Sequence, residues 1–100
     1  SGYQGRATAR LDDIAQMLGF PGKLGMDGSQ VWDAYQAGKL TEIRDYCETD
    51  VLNTYLVYLR FELIRGNLDQ KSHEMEIRRV RDYLKAESKP HFQDFLEAWK

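Results

Sequence analysis

Two side chains near the middle of the chain, Tyr46 and Asp50, have types and a spacing that suit the activation of water. Residues four apart in a helix lie on one face, about one turn from each other. A carboxylate can hold a hard divalent cation, and a nearby phenol can orient a water molecule bound to that cation. Metal-activated water hydrolyses phosphodiester bonds. Taken alone the pair is weak evidence, because many helices carry a Tyr and a solvated Asp at this spacing.

Three segments taken together give a much more specific signal. They are Leu-Asp-Asp-Ile-Ala-Gln-Met-Leu-Gly at 11–19, Lys-Leu-Gly-Met-Asp-Gly-Ser at 23–29 and Tyr-Cys-Glu-Thr-Asp-Val-Leu at 46–52. In this order they closely resemble the C-terminal part of a family of bacterial proteins described as PolB-like predicted 3'-5' exonucleases. These are DEDD-type exonucleases with a ribonuclease H-like α/β fold. The resemblance covers roughly Gly2 to Gly66.

The resemblance implies roles for Tyr46 and Asp50. In that family four acidic residues on three motifs bind two metal ions, Mg²⁺ or Mn²⁺, and the third motif is Tyr-x-x-x-Asp. By residue-to-residue matching, Asp50 is expected to bind metal and Tyr46 to position the attacking water, as in the tyrosine (DEDDy) subclass. The two ions activate the water and stabilise the leaving 3' oxygen.

The first two motifs of that family have no credible match in this chain. Asp-x-Glu on a strand is absent, and we expect it, with the strands of the α/β fold, N-terminal to Ser1 in a longer parent protein. Asp50 alone cannot hold two ions about 4 Å apart. We therefore expect this chain to be inactive and to bind no metal ion by itself, whereas the parent would act on a single-stranded 3' end of DNA or RNA.

Composition narrows the function classes independently of the resemblance. The chain has 100 residues, enough for one domain, and 14 basic against 16 acidic residues exclude a strongly basic nucleic-acid coat. Its only cysteine, Cys47, excludes an internal disulfide and favours a reducing cytoplasm. No run approaches the ~18 apolar residues of a membrane span. We expect a cytoplasmic protein that does not cross a membrane.

Hydrophobic periodicity and Gly or Pro breakers predict a mainly α chain of about five helices without a convincing strand. The predicted helices are Leu11 to Leu18, a second capped by Asp27 or Ser29 and ended by Gly38, Thr41 to Arg65, a fourth from Asp69 to about Ala86, and a last one capped by Ser88 with Pro90 in its first turn. We divide the chain into residues 1–66, the end of an exonuclease domain, and residues 67–100, a charged helical tail.

The third predicted helix raises a question that the pattern leaves open. Its second half, from Val51 to Ile64, places apolar groups around nearly the whole circumference, which predicts burial on every side. Either the chain is a compact bundle with Tyr hydroxyls at the surface, or a layer is missing: a partner, or the parent's central sheet. The chain is then expected to self-associate through Thr41 to Arg65. The alternative function is a non-catalytic helical interaction module.

Five further residues were considered as ligand contacts. Lys23, Arg6 and Arg10 lie near the Gly-rich loop and could meet a phosphate backbone, as basic grooves do, although a solvated charge is the commoner case. His73 and His91 have no ligand-type partner at metal spacing, so we expect two exposed histidines.

The remaining candidates are interpreted structurally. Cys47 is expected to be a buried small hydrophobe, since no His is close in sequence. The basic run Arg78 to Arg81 is expected to be a solvated helix face, because acidic residues surround it. Trp32 and Trp99 are expected to be core or interface anchors.

Overall fold

The computed structural model describes residues 11–100, and most of these are helical. Helix α1 covers residues 11–17. A 3-10 turn at Gly28–Gln30 leads into α2 (Val31–Gln36), followed by α3 (Leu40–Ile64), α4 (Gln70–Glu87) and α5 (Pro90–Ala98). No strand occurs between residues 11 and 100. The prediction of a mainly α chain of five helices is confirmed. Arg6 and Arg10 lie outside the described residues.

The core forms where α4 and α5 pack against the second half of α3. Leu56, Leu84 and Phe95 are fully buried, and Trp99 stands edge-on to Phe95 with 5.9 Å between ring centroids. Phe20, from the loop after α1, reaches the other side of the same indole at 6.0 Å. Each such buried side chain contributes about 1.5–3 kcal/mol. The charged tail therefore supplies half of the core for the preceding segment.

The ends of α4 and α5 follow from local chemistry. Asp69 caps α4, since its carboxylate accepts a 2.7 Å hydrogen bond from the Ser72 amide. The predicted capping of α5 by Ser88 is wrong. Ser88 instead ends α4 with a left-handed φ of 53°, and its hydroxyl donates to the Lys85 carbonyl. The N-cap of α5 is Lys89, which is extended as the residue before a proline must be.

Helix α3 has two different sides. Its inner side carries the buried residues, which are Thr49, Asn53, Leu56, Val57 and Leu59. Its outer face, defined by Leu40, Cys47, Val51 and Tyr58, repeats at the spacing of one helix side and is exposed; Val51 is 66% and Tyr58 55% accessible. The prediction of burial all round is wrong for this face, because α4 and α5 cover α3 from one side only.

The length of α3 does not make it a membrane segment. It has 25 residues and carries charged side chains in both halves, among them Glu48, Asp50, Arg60 and Glu62. Among the described residues, no helix combines the length and the apolarity that crossing a bilayer requires.

Candidate functional site

Tyr46 and Asp50 lie one turn apart in the first half of α3, and both side chains are half-buried. They line one small pocket together with residues from α1 and the following loop. The other lining residues are Asp12, Lys23, Leu24, Thr49 and Asn53. The structure thus brings together the two residues singled out by spacing and adds a second carboxylate, that of Asp12.

The loop that closes this pocket is tied to α3 by one buried side chain. Asn53 accepts a hydrogen bond from the Gly22 amide at 3.0 Å and donates to the Gly22 carbonyl at 2.6 Å. Gly22 has a φ of +72°, and a Cβ there would lie 2.9 Å from Gln16 Cγ. Only glycine fits this close, left-handed turn without strain. The Asn53–Gly22 pair therefore fixes Lys23, the next residue, over the pocket.

Charges in the pocket are shifted by burial and by one another. Burial raises the pKa of the Asp12 carboxyl, the Lys23 ammonium opposes this, and the Asp50 carboxylate adds to the rise. Burial also raises the pKa of the Tyr46 phenol, with Asp50 and then Asp12 as further causes. Both effects disfavour the phenolate, so Tyr46 carries its hydroxyl proton at neutral pH.

The donor set fits one hard divalent cation better than two. Asp12 and Asp50 supply oxygen ligands of the type that Mg²⁺ takes, one or two carboxylates with water in the remaining positions. A pair of ions about 4 Å apart needs further shared carboxylates, and residues 11–100 bring no third carboxylate into this pocket.

A match to a family model identifies the family of this chain. The model for a predicted 3'-5' exonuclease related to the exonuclease domain of PolB matches residues 1–99. The chain belongs to this PolB-related exonuclease family. No curated protein and no solved structure gives a significant match.

Membership of the PolB-related exonuclease family confirms the resemblance and widens it. The resemblance ended near Gly66, whereas the match continues through α4 and α5 to residue 99. The family's activity implies a nucleic-acid substrate and suggests the use of divalent metal ions. The division of the chain at residue 66 stays a prediction, and α4 and α5 pack on α3 across it.

Lys23 is the one predicted nucleic-acid contact that the structure places. It is half-exposed, lines the pocket, and pairs with Asp27 at 3.6 Å on the solvent side. The sequence reasoning missed Asp12 and Asn53. Asp12 lies at the start of the helix predicted for Leu11 to Leu18, where acidic residues are common. Asn53 lies 31 residues from Gly22, and no local pattern signals such a pairing.

A second cluster joins α3 to α5 on a different side of α3. His91 Nδ1 lies 3.4 Å from Asp45 and its Nε2 2.5 Å from Glu48, while Lys89 Nζ lies 3.8 Å from Glu48. One ligand atom from each of Asp45, Glu48 and His91 lies within 4.8 Å of the others. Because its two ring nitrogens face different carboxylates of α3, His91 links α5 to α3, and the Lys89–Glu48 ion pair lies beside it.

Several single-residue expectations need correction. His73 is buried and His91 is half-buried, so neither is the exposed histidine that was predicted. Cys47 is exposed, since it lies on the outer face of α3. Trp99 is a core residue as predicted, but Trp32 is 64% accessible and stacks on Tyr35.

Proposed function

We propose that this chain forms the C-terminal segment of a metal-dependent 3'-5' exonuclease domain that hydrolyses the terminal phosphodiester of DNA or RNA. Membership of the PolB-related family supports the activity. The observation that supports the site is that Tyr46 and Asp50, the third-motif pair, share one pocket with Asp12 and Lys23.

In this proposal Asp50 would hold a divalent metal ion; when bound, such an ion would activate a water molecule and stabilise the leaving 3' oxygen. Tyr46 orients the water through its hydroxyl. Its raised pKa keeps that hydroxyl protonated at neutral pH, so it can donate and accept a hydrogen bond simultaneously. Lys23 is exposed and lines the pocket, and its ammonium pairs with Asp27 at 3.6 Å. This ammonium is proposed to meet a phosphate of the strand, and Arg6 and Arg10 are proposed to extend the contact.

The chain by itself is expected to be inactive. The family's reaction uses two metal ions, and Asp50 and Asp12 are too few carboxylates to bind both. The remaining ligands would come from a preceding segment. An assay of the purified 100-residue chain with Mg²⁺ or Mn²⁺ and a single-stranded substrate should show no trimming of the 3' end. Sustained trimming that Asp50→Asn abolishes would contradict the inactivity of the chain while supporting the site.

The test of the activity uses the chain preceded by a segment that carries an Asp-x-Glu motif on a strand. Tyr46→Phe should lower kcat about 10²-fold, the range for a lost water-positioning group, and Asp50→Asn more strongly. The control is Tyr58→Phe, which removes an exposed hydroxyl from the outer face of α3. Full activity in Asp50→Asn would overturn the proposed site.

The exposed outer face of α3 supports a second role as an interaction surface. Leu40 is 61%, Val51 66% and Tyr58 55% accessible, an apolar stripe of the kind that marks an interface. We propose that the isolated chain self-associates through this face. Light scattering should show assemblies at high concentration that Tyr58→Glu dissociates; a monomer at every concentration would overturn it.

A further inference from the structure

A second pocket, on the other side of the loop that follows α1, is a cleft lined mostly by cations. It has a volume of about 470 Å³, and its walls come from the end of α1, from α3, from α4 and from residues 99 and 100. Its charged lining residues are Arg60, Arg78, Arg81, Lys100 and Glu74. Four positive charges against one negative charge make this cleft attractive to anions.

The three arginines have no acidic partner of their own. None of Arg60, Arg78 and Arg81 lies within 4.0 Å of a carboxylate among residues 11–100. Residues 1–10 contain no Asp or Glu. The neighbouring Arg79, by contrast, pairs with Glu76 at 3.2 Å. Glu74 offsets only one of the positive charges at the cleft, and a bound anion would relieve the repulsion among the others.

Two of these guanidinium groups are held in place by aromatic rings. The Cζ atom of Arg81 lies 3.8 Å from the centroid of Trp99, and that of Arg60 lies 5.2 Å from the centroid of Phe20. A guanidinium stacked on a ring is oriented while the N–H groups at its edge stay available. Such an oriented fork matches the oxygens of a phosphate, which it can bind in a bidentate way.

His73 adds an unpaired polar group to the same cleft. It lines the cleft, is 6% accessible, and its Nε2 has no hydrogen-bond partner among the described residues. Burial, and then the charge of Arg60, lower the pKa of this imidazole. A buried polar nitrogen without a partner calls for an explanation, and an ion bound at the site is one such explanation.

We propose that this cleft is a phosphate-binding site that takes a phosphate group of a nucleic-acid strand or of a mononucleotide. Its volume suits a small phosphorylated ligand. Arg60 follows Asp50 by ten residues of α3, a rise of about 15 Å. At ~3.4 Å per nucleotide a stacked strand spans that distance in roughly four to five nucleotides. The choice of a nucleic-acid strand rests on the proposed function; the binding of phosphate does not.

The test measures binding of a fluorescent oligothymidylate to the 100-residue chain by anisotropy, at low salt and with EDTA present. Arg78→Gln should weaken binding about tenfold, the loss expected for one charge-assisted contact. It should also reduce the slope of log K against log salt by about 0.7. The matched control is Arg79→Gln, which removes the same charge one residue away, outside the cleft, and should leave the affinity unchanged.

A second variant distinguishes a loss of binding from a loss of folding. Arg81→Lys keeps the charge but loses the fork stacked on Trp99, so it should weaken binding while circular dichroism and the melting temperature show an intact fold. The proposal is overturned if the wild-type chain binds neither the oligonucleotide nor dTMP nor inorganic phosphate. It is also overturned if Arg78→Gln and Arg79→Gln weaken binding equally, which would indicate diffuse charge attraction.

Competition separates the two phosphate sources. Displacement of the oligonucleotide by equimolar dTMP assigns the cleft to a terminal phosphate, and displacement only by unlabelled oligonucleotide assigns it to the backbone; both outcomes support the proposal. The test of the cleft depends on Arg78 and needs no metal ion, whereas the test of the exonuclease site depends on Asp50 and needs one. Either proposal can therefore be overturned while the other stands.

Discussion

The two halves of α3 are held by different kinds of contact. Around the second half, α4 and α5 bury large apolar groups, with Leu56, Leu84 and Phe95 fully enclosed. Around the first half and the middle of α3, α1 and the loop are attached through smaller and more polar groups, chiefly Ala15 and the Asn53–Gly22 pair. The candidate nuclease pocket lies on the polar side. Stability is thus concentrated at one end of the helix and the reactive groups at the other.

The largest expected effect comes from the apolar end. Phe95→Ala removes a fully buried ring from between α3, α4 and Trp99. It should lower the free energy of unfolding by about 3–5 kcal/mol, measured by urea denaturation. The control is Phe61→Ala on the exposed side of α3, which should cost far less. Equal effects of the two changes would mean that the core is not where α4 and α5 meet α3.

A change at the polar end of α3 should lower the free energy of unfolding less than Phe95→Ala does, and its effect should be confined to the loop after α1. Asn53→Ala deletes both hydrogen bonds to Gly22 and leaves a buried amide and carbonyl unpaired, at a cost of about 1–3 kcal/mol. Hydrogen exchange of the Gly22 amide should accelerate while amides in α4 keep their protection.

Thr54→Ala provides the comparison for Asn53→Ala. Thr54 is the next residue, and its exposed hydroxyl donates only to the Asp50 carbonyl in the same helix. This change should leave Gly22 exchange unaltered. If Thr54→Ala also accelerates it, the loop is held by α3 as a whole and not by the Asn53 side chain.

How well the sequence predicts the two ends of α3 depends on how far apart in sequence the contacting residues lie. Helix positions follow from local spacing and from breakers, so α3 and α4 are predicted within a residue or two. The placement of Tyr46 and Asp50 on one side of α3 follows from their four-residue spacing, whereas their proposed roles come from the resemblance. The Asn53–Gly22 pair and the stacking of Arg81 on Trp99 join residues from different helices and loops. Periodicity carries no information about such partners, which explains why Asp12 and the basic cleft were missed.

Two glycines in the loop after α1 allow a finer test of the polar attachment. Gly22→Ala and Gly25→Ala both force a side chain into a left-handed backbone, with φ of +72° and +81°, at about 1–2 kcal/mol each. Only at Gly22 does the new Cβ also meet a neighbour, 2.9 Å from Gln16 Cγ. Gly22→Ala should therefore melt at the lower temperature. Identical melting temperatures would show that the loop relaxes away from α1.

The smallest effect is a pH dependence at the pocket. The folded-state pKa of Asp12 is raised, mainly by burial, so the folded chain binds this proton more readily than the unfolded chain does. Its contribution to stability is therefore greatest at acidic pH and is lost as pH rises through the folded pKa. Asp12→Asn should raise the melting temperature modestly at pH 7, with the difference shrinking near pH 3.

Asp13→Asn controls for net charge in the Asp12 experiment. Asp13 is exposed and adjacent in sequence, and it lies outside the pocket. If both changes shift the melting temperature alike at pH 7, the effect comes from the overall charge of the chain. A shift confined to Asp12→Asn would assign it to the pocket.

The uninterrupted length of α3 places a constraint on how this chain can vary. Asp50 and Arg60 belong to one rigid helix. Substitutions at the residues between them therefore leave their separation and relative direction unaltered. A single inserted residue, however, would turn Arg60 by about 100° around the helix and withdraw it from the cleft. Length variation among members of this family is accordingly expected in the connections before and after α3, and not inside it.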